Sequence, residues 1–342
     1  MRAWLLKKVC NLTTESSPLQ LAEIPPPVPG PNEILIRISC CGVCHTELDE
    51  IEGRTPPPAF PVILGHQVVG LVEQKGENAN LFRLHDRVGV AWIYSACGEC
   101  EYCQSGLENL CPYFAATGRD ANGGYAELMV VPEKFAFSIP AVFSDTEAAP
   151  LLCAGAIGYR SLRLTHLKNG RTLGLTGFGA SGHLVLKMAK SLFPDSKILV
   201  FARSAEEQSF ARSLGVFWAG DSGDAPPLKA NAIIDTTPVW NPIVQSLSQL
   251  KPGGRLVINA IRKEATDKNV LLTLDYPKHL WMEKEIKSVA NIARQDVEDF
   301  LALASRIPIR PEVEVYPFEE ANRALHDLKN KHVKGAKVLT LK

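Results

Sequence analysis

The chain has 342 residues, of which 46% are hydrophobic and 22% charged, and its formal net charge is zero. This composition is typical of a soluble globular protein with two domains of ordinary size. The balanced charge argues against a protein that works mainly by holding nucleic-acid phosphates, and the lack of a long apolar run argues against a membrane span. The start of the chain does not resemble a secretory signal, so we expect a cytoplasmic location, where nine cysteines favour metal ligation or buried thiols over disulfides.

The first 150 residues are predicted to be rich in strands and turns. Strand-like runs lie at 34–38, 62–72, 87–90 and 123–131, and a proline-rich connection at 25–31 precedes the first of them. A polar, glycine-containing segment that carries four cysteines interrupts this pattern. We therefore predict a β-rich domain with an inserted lobe.

From residue 146 onwards the pattern changes to alternation of strands and helices. An apolar helix is predicted over 146–164, and strands follow at 171–176, 197–202, 231–235, 255–259 and 286–290 with helical stretches between them. Such alternation predicts a parallel, doubly wound sheet. Two further helices, at 297–304 and 319–328, precede a strand at 335–341, which we expect to return to the first domain.

The inserted segment predicts a structural zinc site. Cys97, Cys100, Cys103 and Cys111 follow the spacing Cys-x2-Cys-x2-Cys-x7-Cys, and four thiolates can close a tetrahedral site around one zinc ion. An alternative is that this segment is an interaction knuckle of a zinc-stabilised binding protein. The neutral charge and the downstream nucleotide-binding pattern argue against that alternative.

A second zinc site requires ligands from distant positions. Cys44, His66 and Cys153 would form a Cys2His set with room for water or substrate as the fourth ligand, which is typical of catalytic zinc. Taken singly, each residue has an ordinary explanation, a buried thiol or a hydrogen-bonded turn histidine. Only their combination with the other motifs favours a metal site.

A glycine motif predicts a dinucleotide site. Gly177, Gly179 and Gly182 fit Gly-x-Gly-x-x-Gly, and the motif follows a predicted strand and opens a predicted helix. Glycines there let the backbone, including that of Phe178 and Ala180, approach a pyrophosphate at the helix N-terminus. A glycine-rich turn without a ligand is the alternative.

The end of the next strand favours NADP over NAD. An NAD site usually has an acidic residue there to bind the ribose hydroxyl, about 20 residues after the glycines. This chain has Ala202, Arg203 and Ser204 instead, and a cationic guanidinium beside a hydroxyl suits a 2′-phosphate. The alternative is that Arg203 is a solvated surface residue.

Together these motifs resemble the zinc-dependent alcohol dehydrogenases of the medium-chain dehydrogenase/reductase superfamily, nearly from end to end. The most specific stretches are Gly42–Glu47, Gly65-His66, the four-cysteine segment, Gly123–Glu127, Leu152–Gly155 and the glycine motif. The resemblance implies an α/β protein with a GroES-like catalytic domain at 1–153 and 293–342, a structural-zinc lobe at 95–113, and a Rossmann domain at 154–292.

The resemblance also implies roles for single residues. Cys44, His66 and Cys153 would bind the catalytic zinc, and the four lobe cysteines the structural zinc. The remaining implied roles are the alcohol proton acceptor (Thr46), pyrophosphate contacts (His45 and Lys337), a wall of the substrate pocket (Trp92) and an acid behind the zinc (Glu47). The implied assembly is a homodimer or homotetramer.

Two departures from the family pattern concern the catalytic site. The family usually has Glu after the ligand histidine, whereas this chain has Gln67, which should make the site more positive and ease ionisation of a bound alcohol. Many members also have a histidine where this chain has Asp49. The proton relay can therefore be carried to Thr46 and the cofactor ribose, and no further.

The implied reaction is reversible oxidation of a primary or secondary alcohol to an aldehyde or ketone, with zinc as Lewis acid and NAD(P) as hydride carrier. If NADP is the cofactor, carbonyl reduction is the expected direction. The rival within enzymes is a quinone or enone reductase of the same superfamily that lacks the catalytic zinc.

Overall fold

A computed structural model describes residues 1–307, 309–330 and 335–341. The chain forms two compact units, one made of Met1–Ala156 and Ile292–Lys342, the other of Ile157–Asn291. Among the described residues, no helix is both long and apolar enough to cross a bilayer.

The secondary structure of the first unit begins with strands and short helices. In chain order they are β1 (Arg2–Leu6), β2 (Leu19–Glu23), β3 (Glu33–Val43), α1 (His45–Ile51), β4 (Val62–Ile63), β5 (Val68–Lys75), β6 (Arg87–Val90), β7 (Ile93–Ser95), α2 (Glu101–Gln104), β8 (Ala115–Ala116), β9 (Leu128–Pro132), β10 (Ala136–Ser138) and α3 (Asp145–Pro150). A π-helical turn, Leu151–Gly155, then leads into α4 (Ala156–Leu164).

The second unit alternates strands and helices, and the chain then returns to the first unit. The elements of the second unit are β11 (Leu173–Thr176), α5 (Ala180–Leu192), β12 (Ile198–Phe201), α6 (Ala205–Ser213), β13 (Trp218–Gly220), β14 (Ala230–Asp235), α7 (Asn241–Gln249), β15 (Leu250–Ile258) and β16 (Glu285–Ser288). The returning elements are α8 (Arg294–Arg306), β17 (Val313–Pro317), α9 (Ala321–Asn330) and β18 (Ala336–Thr340).

Strand β3 organises the first unit. The main sheet runs in the order β10-β6-β5-β3-β18-β17, with β9 also paired to β3. Strand β18 pairs antiparallel with β3, Lys337 opposite Val43, which confirms the predicted return of the C-terminal strand. Strand β3 pairs with the strands β5, β9 and β18. This pairing fixes the position of its C-terminal end, which Cys44 follows directly.

The second unit contains a parallel sheet in the order β13-β12-β11-β14-β15-β16. Every residue of β11 and β12 is buried, as expected for strands covered on both faces. Part of its core is an apolar cluster that includes Ile233, Leu247 and Leu256. The predicted fold class, a β-rich domain together with a doubly wound parallel sheet, is confirmed.

Local differences from the sequence prediction have simple causes. The single helix predicted over 146–164 is interrupted by the π turn that carries Cys153, immediately after Pro150. The extra residue that a π turn contains does not disturb the apolar spacing of this segment, so the sequence predicts one continuous helix. The strand predicted from residue 123 begins only at Leu128, because the preceding residues form a turn against 63–65.

Candidate functional site

The four lobe cysteines converge in the structure. Cys97 Sγ lies 3.8 Å from Cys103 Sγ and 3.5 Å from Cys111 Sγ, and all four sulfurs lie within 4.8 Å of one another. Zinc–sulfur bonds of about 2.3 Å in a tetrahedron place sulfurs at about this separation. The donor set therefore fits a closed zinc site, between β7 and β8, which pair with each other.

Backbone amides prepare the lobe for thiolates. The N–H of Cys100 donates to Cys97 Sγ at 3.4 Å, and the N–H of Cys97 donates to Cys111 Sγ at the same distance. The backbone donors at Glu99 and Cys100 lower the pKa of Cys97 to about 6. A thiolate is the form that binds metal, so this geometry favours ligation.

The lobe is anchored to the start of α8. Glu108 is buried, and its Oε1 lies 2.6 Å from Nε of Arg294, while its Oε2 accepts the Arg294 backbone N–H at 3.1 Å. The Arg294 guanidinium also lies over the ring of Phe135, 5.1 Å from its centroid. The lobe is thus braced by a charge-assisted contact as well as by its cysteines.

A second set of donors is formed by Cys44, His66 and Cys153. Cys44 Sγ lies 4.0 Å from Cys153 Sγ, and His66 Nε2 lies 3.4 Å from Cys153 Sγ. All three donor atoms lie within 4.8 Å of one another. Two sulfurs and one imidazole nitrogen at these separations fit zinc with one coordination position left for another ligand.

Three different elements deliver these ligands. Cys44 stands between β3 and α1, His66 lies in the connection between β4 and β5, and Cys153 lies in the π turn. His66 follows Gly65, whose φ of 96° belongs to the left-handed region that glycine favours. A Cβ at Gly65 would also lie 2.5 Å from the Tyr125 ring, so the turn that aims His66 requires glycine.

Glu47 connects two of the three ligands. Its Oε1 lies 2.6 Å from Nδ1 of His66, and its Oε2 accepts the backbone N–H of Cys44 at 2.7 Å. Both side chains are buried. Although burial acts to lower the pKa of His66, the charge of Glu47 raises it well above its usual range. The contact at Nδ1 leaves Nε2 directed at the sulfurs, the usual arrangement of a metal-binding histidine.

The two sulfurs of this set differ in acidity. The contact with the Cys153 thiol lowers the pKa of Cys44 well below its usual value, and His66 adds to this effect, although burial opposes it. The same contact, together with burial, raises the pKa of Cys153. The two sulfurs therefore share a proton, and a bound metal ion would displace that proton.

The glycine motif forms a tight turn between β11 and α5. Gly177 has a φ of 80°, and a Cβ there would lie 2.7 Å from Thr236 Oγ1. A Cβ at Gly182 would lie 2.8 Å from the Gly177 carbonyl oxygen, whereas at Gly179 it would meet no atom of a described residue within 4 Å. Open space at the helix N-terminus beside a close-packed turn fits a bound pyrophosphate.

Known proteins place this architecture in one family. The family described as the alcohol dehydrogenase GroES-like domain matches residues 30–141. A probable alcohol dehydrogenase of Mycobacterium tuberculosis is 40% identical over 346 residues, covering 100% of this chain and 97% of the relative. The chain belongs to the zinc-dependent alcohol dehydrogenase family of the medium-chain dehydrogenase/reductase superfamily.

Two further similarities extend over the whole chain. An alcohol dehydrogenase of Geobacillus stearothermophilus is 32% identical over 333 residues, covering 95% of this chain and 96% of the relative. The cobalt- and zinc-bound thermostable alcohol dehydrogenase of Pyrobaculum aerophilum has a TM-score of 0.86 at 25% identity, covering 100% of this chain and 99% of that structure. The predictions of a GroES-like domain, a Rossmann domain and an NAD(P)-dependent oxidoreductase are confirmed.

Other predicted residues of this alcohol dehydrogenase lie around Cys44. Thr46 is half-buried, with its hydroxyl 3.6 Å from Cys44 Sγ, and His45 is exposed. Gln67 is buried, and its side chain packs against Gly42. Asp49 forms an ion pair with Arg54.

Trp92, predicted to be a wall of the substrate pocket, is half-buried in the first unit. Its ring centroid lies 5.6 Å from that of Phe114. Its indole N–H is buried without a hydrogen-bond partner among the described residues. Its contact with substrate stays a prediction.

The residues predicted to bind or select the cofactor differ in how far they are buried. Ser204 Oγ caps α6 by accepting the backbone N–H of Glu207 at 3.1 Å, and Arg203 is exposed beside it. Ala202 and Phe178 are buried, and the Phe178 ring packs against Phe210. Phe178 can therefore contribute its backbone to a cofactor, while its side chain belongs to the core.

Lys337, predicted to contact the pyrophosphate, is 1% exposed. Its ammonium group pairs with Glu314 and donates to the Tyr316 hydroxyl at 2.7 Å. A cofactor contact through this group would compete with these bonds, and it stays a prediction.

Two buried groups were missed by sequence reasoning. Glu50 is fully buried in α1, and neither of its carboxylate oxygens has a hydrogen-bond partner among the described residues. Asp235, at the end of β14, is fully buried and pairs with Lys263 at 2.5 Å. The only sequence signal for Glu50 was its position three residues after Glu47, which places both on one helix face.

Proposed function

We propose that this enzyme is a zinc-dependent alcohol dehydrogenase and aldehyde reductase that interconverts primary or secondary alcohols with aldehydes or ketones. The observation that carries the proposal is the convergence of Cys44, His66 and Cys153 within 4.8 Å, with Glu47 against His66. The Cys2His set with an open position is the donor set of alcohol dehydrogenase catalytic zinc. The lobe cysteines would hold a second, structural zinc.

The chain's own residues have distinct tasks in this reaction. When bound, zinc supplies Lewis acidity and NAD(P) supplies the redox chemistry. Glu47 holds the His66 ring in orientation. Thr46, whose hydroxyl lies 3.6 Å from Cys44 Sγ, takes the alcohol proton. Trp92 would restrict the room for the substrate.

We propose NADP as the preferred cofactor and carbonyl reduction as the preferred direction. Arg203 is exposed next to the capping hydroxyl of Ser204, and no acidic side chain stands at 202–204. A guanidinium there can pair with a 2′-phosphate. Steady-state kinetics with NADPH and NADH on a panel of aldehydes test the whole proposal. Preference for NADH would overturn the cofactor assignment, and no turnover of any aldehyde would overturn the reaction.

Arg203→Ala makes the cofactor test specific. We expect it to raise the KM for NADPH about 10-fold or more while leaving the KM for NADH unchanged, since a charge-assisted contact is removed. Arg171→Ala is the control, because Arg171 is also exposed but precedes β11, at the amino end of the sheet. Equal effects on the two cofactors would contradict a 2′-phosphate contact.

We also propose a homo-oligomer, either dimer or tetramer. One edge strand of the parallel sheet, β16, is exposed along its whole length, including Ile286, which is 47% exposed. Just before it in the chain, Trp281 and Met282 are 55% and 52% exposed. An exposed edge strand with apolar neighbours is a surface that proteins usually cover. Light scattering coupled to size exclusion measures the assembly, and a monomer at micromolar concentration would contradict the proposal.

A further inference from the structure

Glu50 is a buried acidic side chain on which His66 and Arg119 act through their charges and not through hydrogen bonds. Its side chain is 0% exposed, and both of its oxygens lack hydrogen-bond partners among the described residues. Burial of a carboxylate without a partner is costly, and proteins usually compensate it with a cation or hydrogen bonds. The charges of His66 and Arg119 favour the ionised form of Glu50, and a cation bound nearby would favour it further.

The zinc ligands are the neighbouring feature that can explain this. Glu50 lies on α1 three residues after Glu47, and residues at this spacing share one helix face. Glu47 in turn contacts both His66 and the Cys44 backbone. Burial raises the pKa of Glu50 well above its usual range, and the charges of Glu47 and Cys44 add to the rise, whereas those of His66 and Arg119 oppose it. A zinc ion bound by the neighbouring Cys44 and His66 would oppose the rise as well and so favour the carboxylate. Glu50 is thus the next acidic group behind Glu47.

Gln67, the residue after His66, has an amide and not a carboxylate. The family pattern has Glu at this position, and the sequence alone therefore suggested a site with one negative charge fewer. In the structure Gln67 is buried and packs its amide against Gly42. The neutral residue at 67 and the acid at 50, which has no hydrogen-bond partner among the described residues, are both buried in the first unit.

We propose that Glu50 supplies the negative charge that Gln67 does not, and that it stabilises zinc bound by Cys44, His66 and Cys153. This inference rests on the proposed function, since it presumes zinc at that site. Glu47 and Glu50 then give the same count of acidic groups as Glu47 and a glutamate at position 67 would. The site is accordingly no more positive than the family pattern, contrary to the expectation from Gln67 alone.

The test removes the carboxylate at position 50 and introduces one at position 67. Zinc release to a chromogenic chelator is followed in the parent enzyme, Glu50→Gln, Gln67→Glu and the double variant. We expect Glu50→Gln to release the catalytic zinc about 10-fold faster, which is the low end for loss of a group behind a metal ligand. The double variant should return to within about 2-fold of the parent, because the two substitutions are coupled through one site.

A second readout separates this role from a structural one. In the metal-free protein, Glu50→Gln removes a buried acid that no described hydrogen bond stabilises and should not lower the melting temperature. Glu133→Gln is the control, because Glu133 is also buried but accepts the backbone N–H of Leu81 at 2.7 Å. We expect that variant to melt earlier and to release zinc at the parent rate.

The outcomes distinguish this inference from the proposed function. If the parent holds two zinc ions and Glu50→Gln releases both at the parent rate, the inference is wrong and the proposed function stands. The inference is also wrong if release is faster but Gln67→Glu does not restore it. If the parent holds only the structural zinc, both the inference and the proposed function are overturned.

Discussion

Glu47 shows how one buried side chain can organise a candidate metal site. It contacts the His66 ring and the Cys44 backbone, so two ligands from different elements are fixed by one carboxylate. Such partners orient ligands and tune the metal, and their loss typically costs 10- to 100-fold in affinity or activity. The ligands alone therefore describe only part of the candidate site.

Thr46 provides a direct test of the proton path. Thr46→Val removes the hydroxyl while keeping the β-branched shape, and we expect kcat to fall about 100-fold or more, the usual scale for loss of a proton-transfer group. Thr46→Ser retains the hydroxyl and should keep kcat within about 10-fold. Zinc content should be unchanged in both. A Val variant with parental kcat would exclude Thr46 from proton transfer.

At the residue scale, sequence reasoning found the donor atoms better than their surroundings. The lobe site could be predicted from spacing, because four cysteines within fifteen residues can converge without a long-range contact. Cys44, His66 and Cys153 are far apart in the sequence and were assigned through the family resemblance. The burial of Glu50 without a described hydrogen-bond partner and the burial of Lys337 could not be predicted, since both depend on which tertiary neighbours surround the side chain.

At the element scale, the π turn Leu151–Gly155 is the unusual feature of the ligand set. It joins α3 to α4 and carries Cys153, and π turns inside helices occur often at functional sites. At the C-terminal end of this turn, Gly155 packs against Phe300 of α8. A Cβ at Gly155 would clash with the Phe300 ring. A periodic apolar sequence predicts a helix here and gives no indication of the extra residue in the turn.

Glu52 links α1 to α9 and predicts a pH dependence. Its Oε1 lies 2.5 Å from Lys329 Nζ, and it also pairs with Arg54. Although burial opposes the change, Lys329 and Arg54 lower the pKa of Glu52 below its usual 4.5. The stabilisation is therefore complete above the unfolded-state pKa and is lost as pH falls through the lower folded-state value.

Glu52→Gln should reduce the free energy of unfolding by about 1 kcal/mol at neutral pH, the scale of a partly exposed ion pair. The difference between parent and variant should shrink as the pH falls below about 4, where both side chains are neutral. Urea denaturation of both proteins over this range provides the measurement. A constant difference at all pH values would show that the carboxylate charge is not involved.

The buried pair of Asp235 and Lys263 stabilises the carboxyl end of the parallel sheet. Lys263 Nζ also donates to the Thr237 and Val239 carbonyl oxygens at 2.6 and 3.1 Å. Lys263→Met leaves Asp235 buried and unpaired, and we expect a loss of about 3–5 kcal/mol in the free energy of unfolding. Asp235→Asn combined with Lys263→Met should recover much of it. Denaturation curves that show additive losses would contradict a coupled pair.

At the scale of the whole molecule, the sequence predicted the fold well because long periodic segments dominate it. The alternation after residue 170 and the apolar strands β11, β12 and β14 determine a parallel sheet. The first unit was harder, because its short strands pair across large sequence distances, as β3 does with β18. The cysteine lobe was recognisable from the start, yet its contact between Glu108 and Arg294 joins residues 186 apart.

We propose that the two candidate metal sites serve different purposes, one stability and the other chemistry. Four cysteine ligands would complete the coordination of a zinc ion and leave no position for a substrate, so we expect the lobe site to stabilise the fold. The Cys44, His66 and Cys153 site leaves one position open, so it should carry turnover. Replacing one cysteine by serine in each site tests these two roles separately.

The most direct measurement is zinc content together with aldehyde reduction in the parent enzyme, Cys153→Ser and Cys100→Ser. We predict two zinc ions per chain in the parent, and in Cys153→Ser one zinc, a folded protein and no turnover. Cys100→Ser should lower the melting temperature, while the molecules that stay folded keep their turnover. Parental turnover in Cys153→Ser, or a single zinc in an active parent, would contradict a catalytic zinc held by Cys44, His66 and Cys153.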